Sequence, residues 1–317
     1  MEIAYLILAH TDPALVGRLS KVLKASGEGI FIHIDKKVDE KPFVDAVKKN
    51  GVSACFVKRR HNVFWGGFNS VKATIELLQT ALQSSRKFQR FILLQNLDYP
   101  YWSGQEIKSF FSQYNDVEFI RACNISLIDD DYFTKKYQFP HFYDQKNRYI
   151  RGFLEIFSHV YKILPIKRKQ YGKLFNKKCD LYWGSAQYAI TRNLAELIVL
   201  VYNTEKEFNK YFKRVFAPDE SYFHTIVYNS DFSVKTLFHG PEPTKKGLVN
   251  WRNLHLFTYE KEIKVYTIDD YDYISQNNCM FIRKVRSGIS DTLLDVIDAK
   301  HLKYSPEYVS KSSNNSH

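Results

Sequence analysis

The sequence predicts an α/β protein built on a mostly parallel central sheet. Three observations carry that reading. Apolar runs of strand length alternate with amphipathic segments of helical spacing from the first residues onward. The first strand is apolar without interruption, as strands covered on both faces are. Polar clusters follow where those strands end, the edge on which open parallel sheets hold ligands.

Residues 3–9 read as the first buried strand, and residues 13–25 as a helix with Leu15, Leu19, Val22 and Leu23 at helical spacing. Residues 29–35 form a second strand ending in an acid. A helix over about 42–50 leads to a third strand at 54–57. This β-α-β-α-β order calls for right-handed crossovers. The loop 59–67 precedes a helix from 68 to about 83, with Val71, Ile75, Leu78 and Leu82 as its apolar stripe. Residues 91–100 read as a strand running into a polar turn, followed by a helix at 105–113 and a strand at 117–120. Residues 1–124 thus form a Rossmann-like nucleotide-binding half.

The rest is less regular. Residues 126–149 are loop-like, 150–163 an aromatic helix, and 181–190 a turn into a strand. Thr191 is placed to cap a helix over 192–202. Pro218 suits the first turn of a helix that would carry Asp219 and Glu220 at its positive end. A strand at 233–238, a short helix at 269–274 and a short basic strand at 280–285 follow. Residues 125–306 are read as the second half of the same compact domain, and 307–317 as a flexible tail.

Composition bounds the function. At 317 residues, 44% hydrophobic and 16% aromatic, the chain is globular. The net charge of +12 attracts polyanions or phosphorylated substrates. The densest basic run is Lys167-Arg168-Lys169, either a solvated face or a patch for anionic membrane. No recognised nucleic-acid motif accompanies the charge. The first residues do not read as a secretion signal, and no run reaches the roughly 20 residues of a membrane span. Four scattered cysteines without a C-x-x-C pair fit a reducing cytoplasm. The expected location is therefore cytoplasmic, with peripheral contact on the inner membrane face.

Four polar clusters fall at predicted strand ends: His10-Thr11, His33-Ile34-Asp35, the Arg59 to Gly67 loop, and Asn96-Leu97-Asp98. Together they suggest a bound nucleotide. The absence of G-x-G-x-x-G and of a P-loop argues against a dinucleotide cofactor and a P-loop enzyme. In Trp65-Gly66-Gly67, the glycines permit close backbone approach and Trp65 offers a stacking face. Asp98 has no Asp-x-Asp partner, and Asp129-Asp130-Asp131 reads as a solvated helix start, so no metal or other cofactor is expected. A leaving diphosphate then needs fixed cations, for which Arg252, Arg283, Lys284 and Arg286 are candidates. An ionised carboxylate at the Asp219-Glu220 turn can serve as a general base.

Seven segments, in order between residues 3 and 286, resemble the core-2/I-branching β-1,6-N-acetylglucosaminyltransferases, a family that includes peptide O-xylosyltransferases and bacterial members. They are Ala4-Tyr5-Leu6-Ile7-Leu8-Ala9-His10, Ile32-His33-Ile34-Asp35-Lys36, Val63-Phe64-Trp65-Gly66-Gly67-Phe68-Asn69-Ser70-Val71, Leu93-Leu94-Gln95-Asn96-Leu97-Asp98-Tyr99-Pro100, Trp183-Gly184-Ser185-Ala186-Gln187-Tyr188, Ala217-Pro218-Asp219-Glu220-Ser221-Tyr222-Phe223 and Met280-Phe281-Ile282-Arg283-Lys284-Val285. The resemblance implies a GT-A-type fold and inverting, metal-independent transfer from a UDP-sugar to a glycan or lipid-linked acceptor. It implies Glu220 as the base and Lys284 on the diphosphate, with Arg252 and His255 competing as its partner. It puts His33, Asp35 and Asp98 on the uridine side, and Trp183, Gly184 and Ser185 near the acceptor. Lys136 and Tyr137 are the loose counterpart of the family's basic acceptor stretch, and Asp219 is grouped with them. His10, Arg59, Trp65, Gly66 and Arg283 complete the expected nucleotide-sugar site. The family's animal enzymes are membrane-anchored and disulfide-rich, traits not read here, which points to a bacterial-type member in polysaccharide or glycoconjugate synthesis. UDP-xylose or another UDP-hexose is the alternative donor. A non-catalytic glycan- or nucleic-acid-binding protein is the alternative of another class.

Overall fold

The computed structural model describes residues 1–24, 27–128, 133, 136–145, 147–163, 172–242 and 253–303. Its first half runs β1 (Ile3–Ala9), α1 (Pro13–Lys24), β2 (Gly29–Ile34), α2 (Lys41–Lys49), β3 (Cys55–Phe56), α3 (Asn69–Leu82), β4 (Arg90–Gln95), β5 (Asp98–Pro100), α4 (Gly104–Gln113) and β6 (Ala122–Asn124). The second half adds α5 (Arg148–Ile163), β7 (Gly172–Leu174), β8 (Lys177–Cys179), β9 (Tyr182–Gly184), β10 (Ala189–Thr191), α6 (Arg192–Thr204) and α7 (Lys206–Phe212). It ends with α8 (Tyr222–Tyr228), β11 (His255–Leu256), α9 (Tyr271–Asn277), β12 (Phe281–Arg283) and α10 (Asp291–Lys303).

The main sheet has the order β10-β4-β1-β2-β3. Strands β4, β1, β2 and β3 are parallel, and β10 closes the edge antiparallel to β4. β1 explains the arrangement. Ala4 and Leu6 point into one core with α3, α6 and α8, while Ile3, Tyr5, Ile7 and Ala9 point into a second core with α1, α2, α4 and α10. A strand covered on both faces favours apolar side chains at every position. Each large apolar residue so buried contributes about 1.5–3 kcal/mol. A smaller sheet, β11-β12-β5, stands beside the carboxyl edge of the main one.

The expected cap at Thr191 is present, and a second cap, not expected from the sequence, starts α4. Thr191 accepts the Leu194 N–H at 3.4 Å to start α6. Ser103 and Glu106 form a reciprocal capping box on α4.

Other expectations need correction. The run 91–100 splits between two sheets, because Asp98 Oδ2 accepts the Gln95 N–H at 2.7 Å and folds a turn between β4 and β5. Residues 117–120 are not a strand; Glu118 and Phe119 make single bridges to Thr236 and Ala189. The segment expected as a strand at 233–238 instead contains a 3-10 turn, Asp231–Lys235, started by Ser230, and Val234 faces solvent. An exposed β-branched residue gains nothing from a strand that has no face to bury. Pro218 opens a 3-10 turn, Pro218–Glu220, and not a helix; Ser221 interrupts before α8 begins. Asp129 to Asp131, Lys167 to Lys169, Arg252 and the tail 307–317 lie outside the described residues. Among the described residues no helix is long and apolar enough to cross a membrane.

Candidate active site

The carboxyl ends of β1, β2 and β4 open on one cavity of about 310 Å³. His10 follows β1, His33 and Asp35 end β2, and Gln95 ends β4. The opposite wall comes from Phe64, Trp65 and Gly66, from Ser70 of α3, and from Ala217, Asp219 and Glu220. A parallel sheet places such residues together because all its strands end on the same side.

The β2 end is stitched to the 57–67 loop. His33 Nε2 accepts the His61 N–H at 3.0 Å. Burial, then the neighbouring His61, pushes His33 down to about 4. The ring is therefore neutral near pH 7, with its proton on Nδ1. Asp35 accepts the Lys37 N–H at 2.9 Å and the Val63 N–H at 3.4 Å, and its carboxylate lies 3.3 Å from Lys37 Nζ.

The loop tip is shaped by absent side chains. Gly66 has φ +80°, and a Cβ there would fall 2.6 Å from the Phe216 ring. Trp65 packs edge-on against that ring at 4.8 Å and is otherwise 80% exposed at the cavity mouth.

The acidic turn is held from three directions. The Ala217 N–H donates to the Gly66 carbonyl at 3.0 Å, and the Phe216 N–H to the Lys136 carbonyl at 3.2 Å. Ala217 takes φ +46°, a left-handed conformation that turns the chain into Pro218. Glu220 Oε2 accepts from Lys136 Nζ at 2.5 Å and from Trp183 Nε1 at 2.9 Å. The Lys136 side chain is sealed, while that of Glu220 keeps 34% exposure. This carboxylate is oriented by two donors and still reachable from the cavity. Burial, then the charge of Glu220, pushes Asp219 up to about 6.

The structure brings together His10, His33, Asp35, Trp65, Gly66, Asp219 and Glu220 on the cavity wall, with Lys136 and Trp183 bonded to Glu220. Other expected residues fall elsewhere. Arg59 points outward, 3.6 Å from Glu76; the neighbouring Arg60 is the one built in, donating to the carbonyls of Ile34, Asp35 and Val38. Tyr137 is wholly enclosed in the core and presents no surface to an acceptor. Gly184 is a packing glycine, since a Cβ there would lie 2.1 Å from the Arg121 carbonyl and 2.3 Å from the His224 ring. Ser185 is largely buried and donates to Gln187 Oε1 at 2.8 Å.

Asp98 is fully buried and does not line this cavity. It accepts from Arg283 Nη1 at 2.7 Å, and His255 Nε2 lies 3.4 Å away. Burial opposes its charge, but Arg283 and then His255 outweigh burial and hold the carboxyl below its usual range. Arg283 also donates to Gln95 Oε1 at 2.6 Å, so it stands directly behind a cavity residue without lining the cavity. Lys284 follows it, pushed below the usual lysine range by burial and by Arg283.

Sequence reasoning missed Lys37, a cation on the cavity wall whose ammonium sits 4.6 Å from the Phe64 ring. Its signal was its place two residues after Asp35, in a turn that the acid caps. Gln95 and Ser70 were also given no role, although both line the cavity.

A family model described as Core-2/I-Branching enzyme matches residues 3–274. A beta-1,3-galactosyl-O-glycosyl-glycoprotein beta-1,6-N-acetylglucosaminyltransferase 4 from Danio rerio is 20% identical over 316 residues, spanning 94% of this chain and 69% of the relative. A xylosyltransferase from Ciona intestinalis is 24% identical over 236 residues, and xylosyltransferase 2 from Homo sapiens is also 24% identical. Each of those alignments spans 73% of this chain and 25% of the relative, so the chain matches about a quarter of those longer proteins. Among solved structures, S. aureus TarS 1-349 aligns with a TM-score of 0.36 at 10% identity, covering 74% of this chain and 57% of that one.

Proposed function

The chain belongs to the Core-2/I-Branching enzyme family, a family of glycosyltransferases, and from that premise we propose that it moves a sugar from a UDP donor to a hydroxyl of a glycan acceptor with inversion. N-acetylglucosamine is the first candidate sugar, in keeping with the Danio rerio relative. Xylose is the second, in keeping with the xylosyltransferase relatives. The proposed architecture is of the GT-A type, with the uridine on the His33 and Asp35 side of the cavity.

The observation that carries this reading is the setting of Glu220. It reaches the cavity as a carboxylate held by Lys136 and Trp183, opposite the strand ends. Glu220 takes the proton from an acceptor hydroxyl as that oxygen attacks the anomeric carbon of an α-linked UDP-sugar. The bond from that carbon to the diphosphate oxygen breaks, UDP leaves with the electron pair, and a β-glycoside forms. Fixed cations offset the charge that develops on the leaving group. Lys284 is the proposed diphosphate residue, with Arg283 or Arg252 beside it. Lys37 adds a cation already on the cavity wall.

The proposed reaction needs no metal. A donor screen by UDP release, with UDP-GlcNAc, UDP-xylose, UDP-glucose and UDP-galactose in the presence of EDTA, tests the reading. One donor is expected to turn over with an oligosaccharide acceptor. Turnover that EDTA abolishes and Mn²⁺ restores refutes the metal-free mechanism; silence with every donor, with and without metal, refutes the transferase reading. A bacterial role in polysaccharide or glycoconjugate synthesis, at the cytoplasmic membrane face, is part of the same proposal.

A further inference from the structure

α5 carries Tyr149, Ile150, Phe153, Ile156, Phe157 and Val160 on one side, each between 47% and 80% exposed. Their spacing places them on a single helical face. The opposite stripe seats the helix. Ser158 is buried and donates to the Pro140 carbonyl at 2.9 Å, and Leu154 borders a small cavity with Phe142. The helix is thus fastened on one side to residues 140–145, while its most apolar side faces outward. A contiguous face of this kind is a binding surface and not an ordinary helix surface.

Charge identifies what the face binds. The described residues 148–163 and 172–178 contain six Lys and Arg against one acid, Glu155. A second copy would bring like charges together across the contact. An anionic bilayer offers both apolar depth and opposite charge, and a 16-residue amphipathic helix suits the bilayer surface plane. We propose that α5 is a membrane-interface helix that docks the protein on anionic lipid.

The docked helix lies close to the cavity mouth. Tyr143 and His141 pack on Phe216 at 5.4 and 5.6 Å, and Phe216 is the ring that supports Trp65. The segment that seats α5 therefore also braces the cavity. Membrane docking brings the cavity mouth to the lipid surface, where an acceptor carried on a lipid is presented; this last step rests on the transferase reading, whereas the docking does not.

The test is sedimentation of the full chain with vesicles of phosphatidylcholine alone and of phosphatidylcholine doped with phosphatidylglycerol. Binding is expected to be at least about tenfold stronger on the doped vesicles and to weaken with added salt. The double variant Phe153→Ser, Ile156→Ser is expected to lose about tenfold or more of that binding. Both sites are exposed, so circular dichroism and UDP release to a soluble acceptor are expected to stay unchanged. Equal sedimentation of variant and wild type, absence of binding to either vesicle, or light scattering showing a wild-type dimer that the two substitutions split, overturns the proposal. UDP release is read without vesicles, so loss of the docking proposal leaves the transferase reading standing, and the reverse.

Discussion

Glu220 shows what two donors do to one carboxylate. Lys136 and Trp183 fix its direction, and its remaining exposure lets an acceptor hydroxyl reach it. Glu220→Gln keeps the shape but removes the basicity. Turnover is expected to fall roughly 10²–10⁴-fold, the usual worth of general-base catalysis. The change also leaves Lys136 buried without its counter-charge, so UDP affinity must be read beside turnover. Affinity by calorimetry is expected to hold; near wild-type turnover removes the base assignment. Asp219 gives a second test with a definite sign. Its raised value means the fold prefers the protonated form: burial and then the charge of Glu220 raise it, and together they outweigh the opposing pull of a backbone hydrogen bond, Lys136 and Ser70. That contribution is full below the ordinary carboxylate range and lost as pH rises through about 6. Asp219→Asn is expected to stabilise the protein on the order of 1 kcal/mol at pH 8 and little at pH 4, a melting-temperature gain of a few degrees confined to the alkaline side. Glu220 was legible because an acid after Ala-Pro-Asp is a local pattern. Its contact with Lys136 was not, since the partners are 84 residues apart and only the fold brings them together.

At the scale of elements, the parallel strands were legible and the irregular segments were not. β1 and β2 announce themselves as apolar runs buried on both faces, and α1, α3 and α6 by the helical period of the one face each buries. The 3-10 turns at Pro218–Glu220 and Asp231–Lys235 carry no such period; serine caps and a proline decide them. Gly184 illustrates the same limit. The family resemblance put it near the acceptor, and the ribbon of β6 and β9 uses it for close approach. Ala122 pairs with Gly184, and the Arg121 carbonyl and His224 ring occupy the space a Cβ would need. His224 is fully buried and held neutral, burial pushing it down to about 3. It has no soft way to yield. Gly184→Ala is expected to cost about 2 kcal/mol or more by overpacking. A melting temperature within a degree of wild type contradicts that packing role.

At the scale of the molecule, the site depends on two sheets meeting at Asp98. The main sheet supplies Gln95, and the smaller sheet supplies Arg283 and His255, with Asp98 on β5 joining them. The Val285 N–H to Leu97 carbonyl bond, at 3.0 Å, continues the seam. Sequence order could place these residues near strand ends, but not decide that Asp98 faces inward and Gln95 outward. That follows from the turn that splits the 91–100 run between sheets. Asp98→Asn keeps the volume and leaves Arg283 as a largely buried cation with a weaker partner. The expected cost is about 3–5 kcal/mol, the range for breaking a buried pair. The melting temperature at neutral pH is expected to fall by roughly ten degrees. Because the folded-state value of Asp98 is depressed, its contribution is present above the ordinary carboxylate range and lost as pH falls through that depressed value. The gap between wild type and Asp98→Asn should therefore close in acid. Since Arg283 also orients Gln95 on the cavity wall, KM for the donor is expected to rise more than kcat falls. Melting curves at several pH values and donor kinetics on the same preparation check both statements; a gap that does not shrink in acid means that shape, not charge, holds the sheets together.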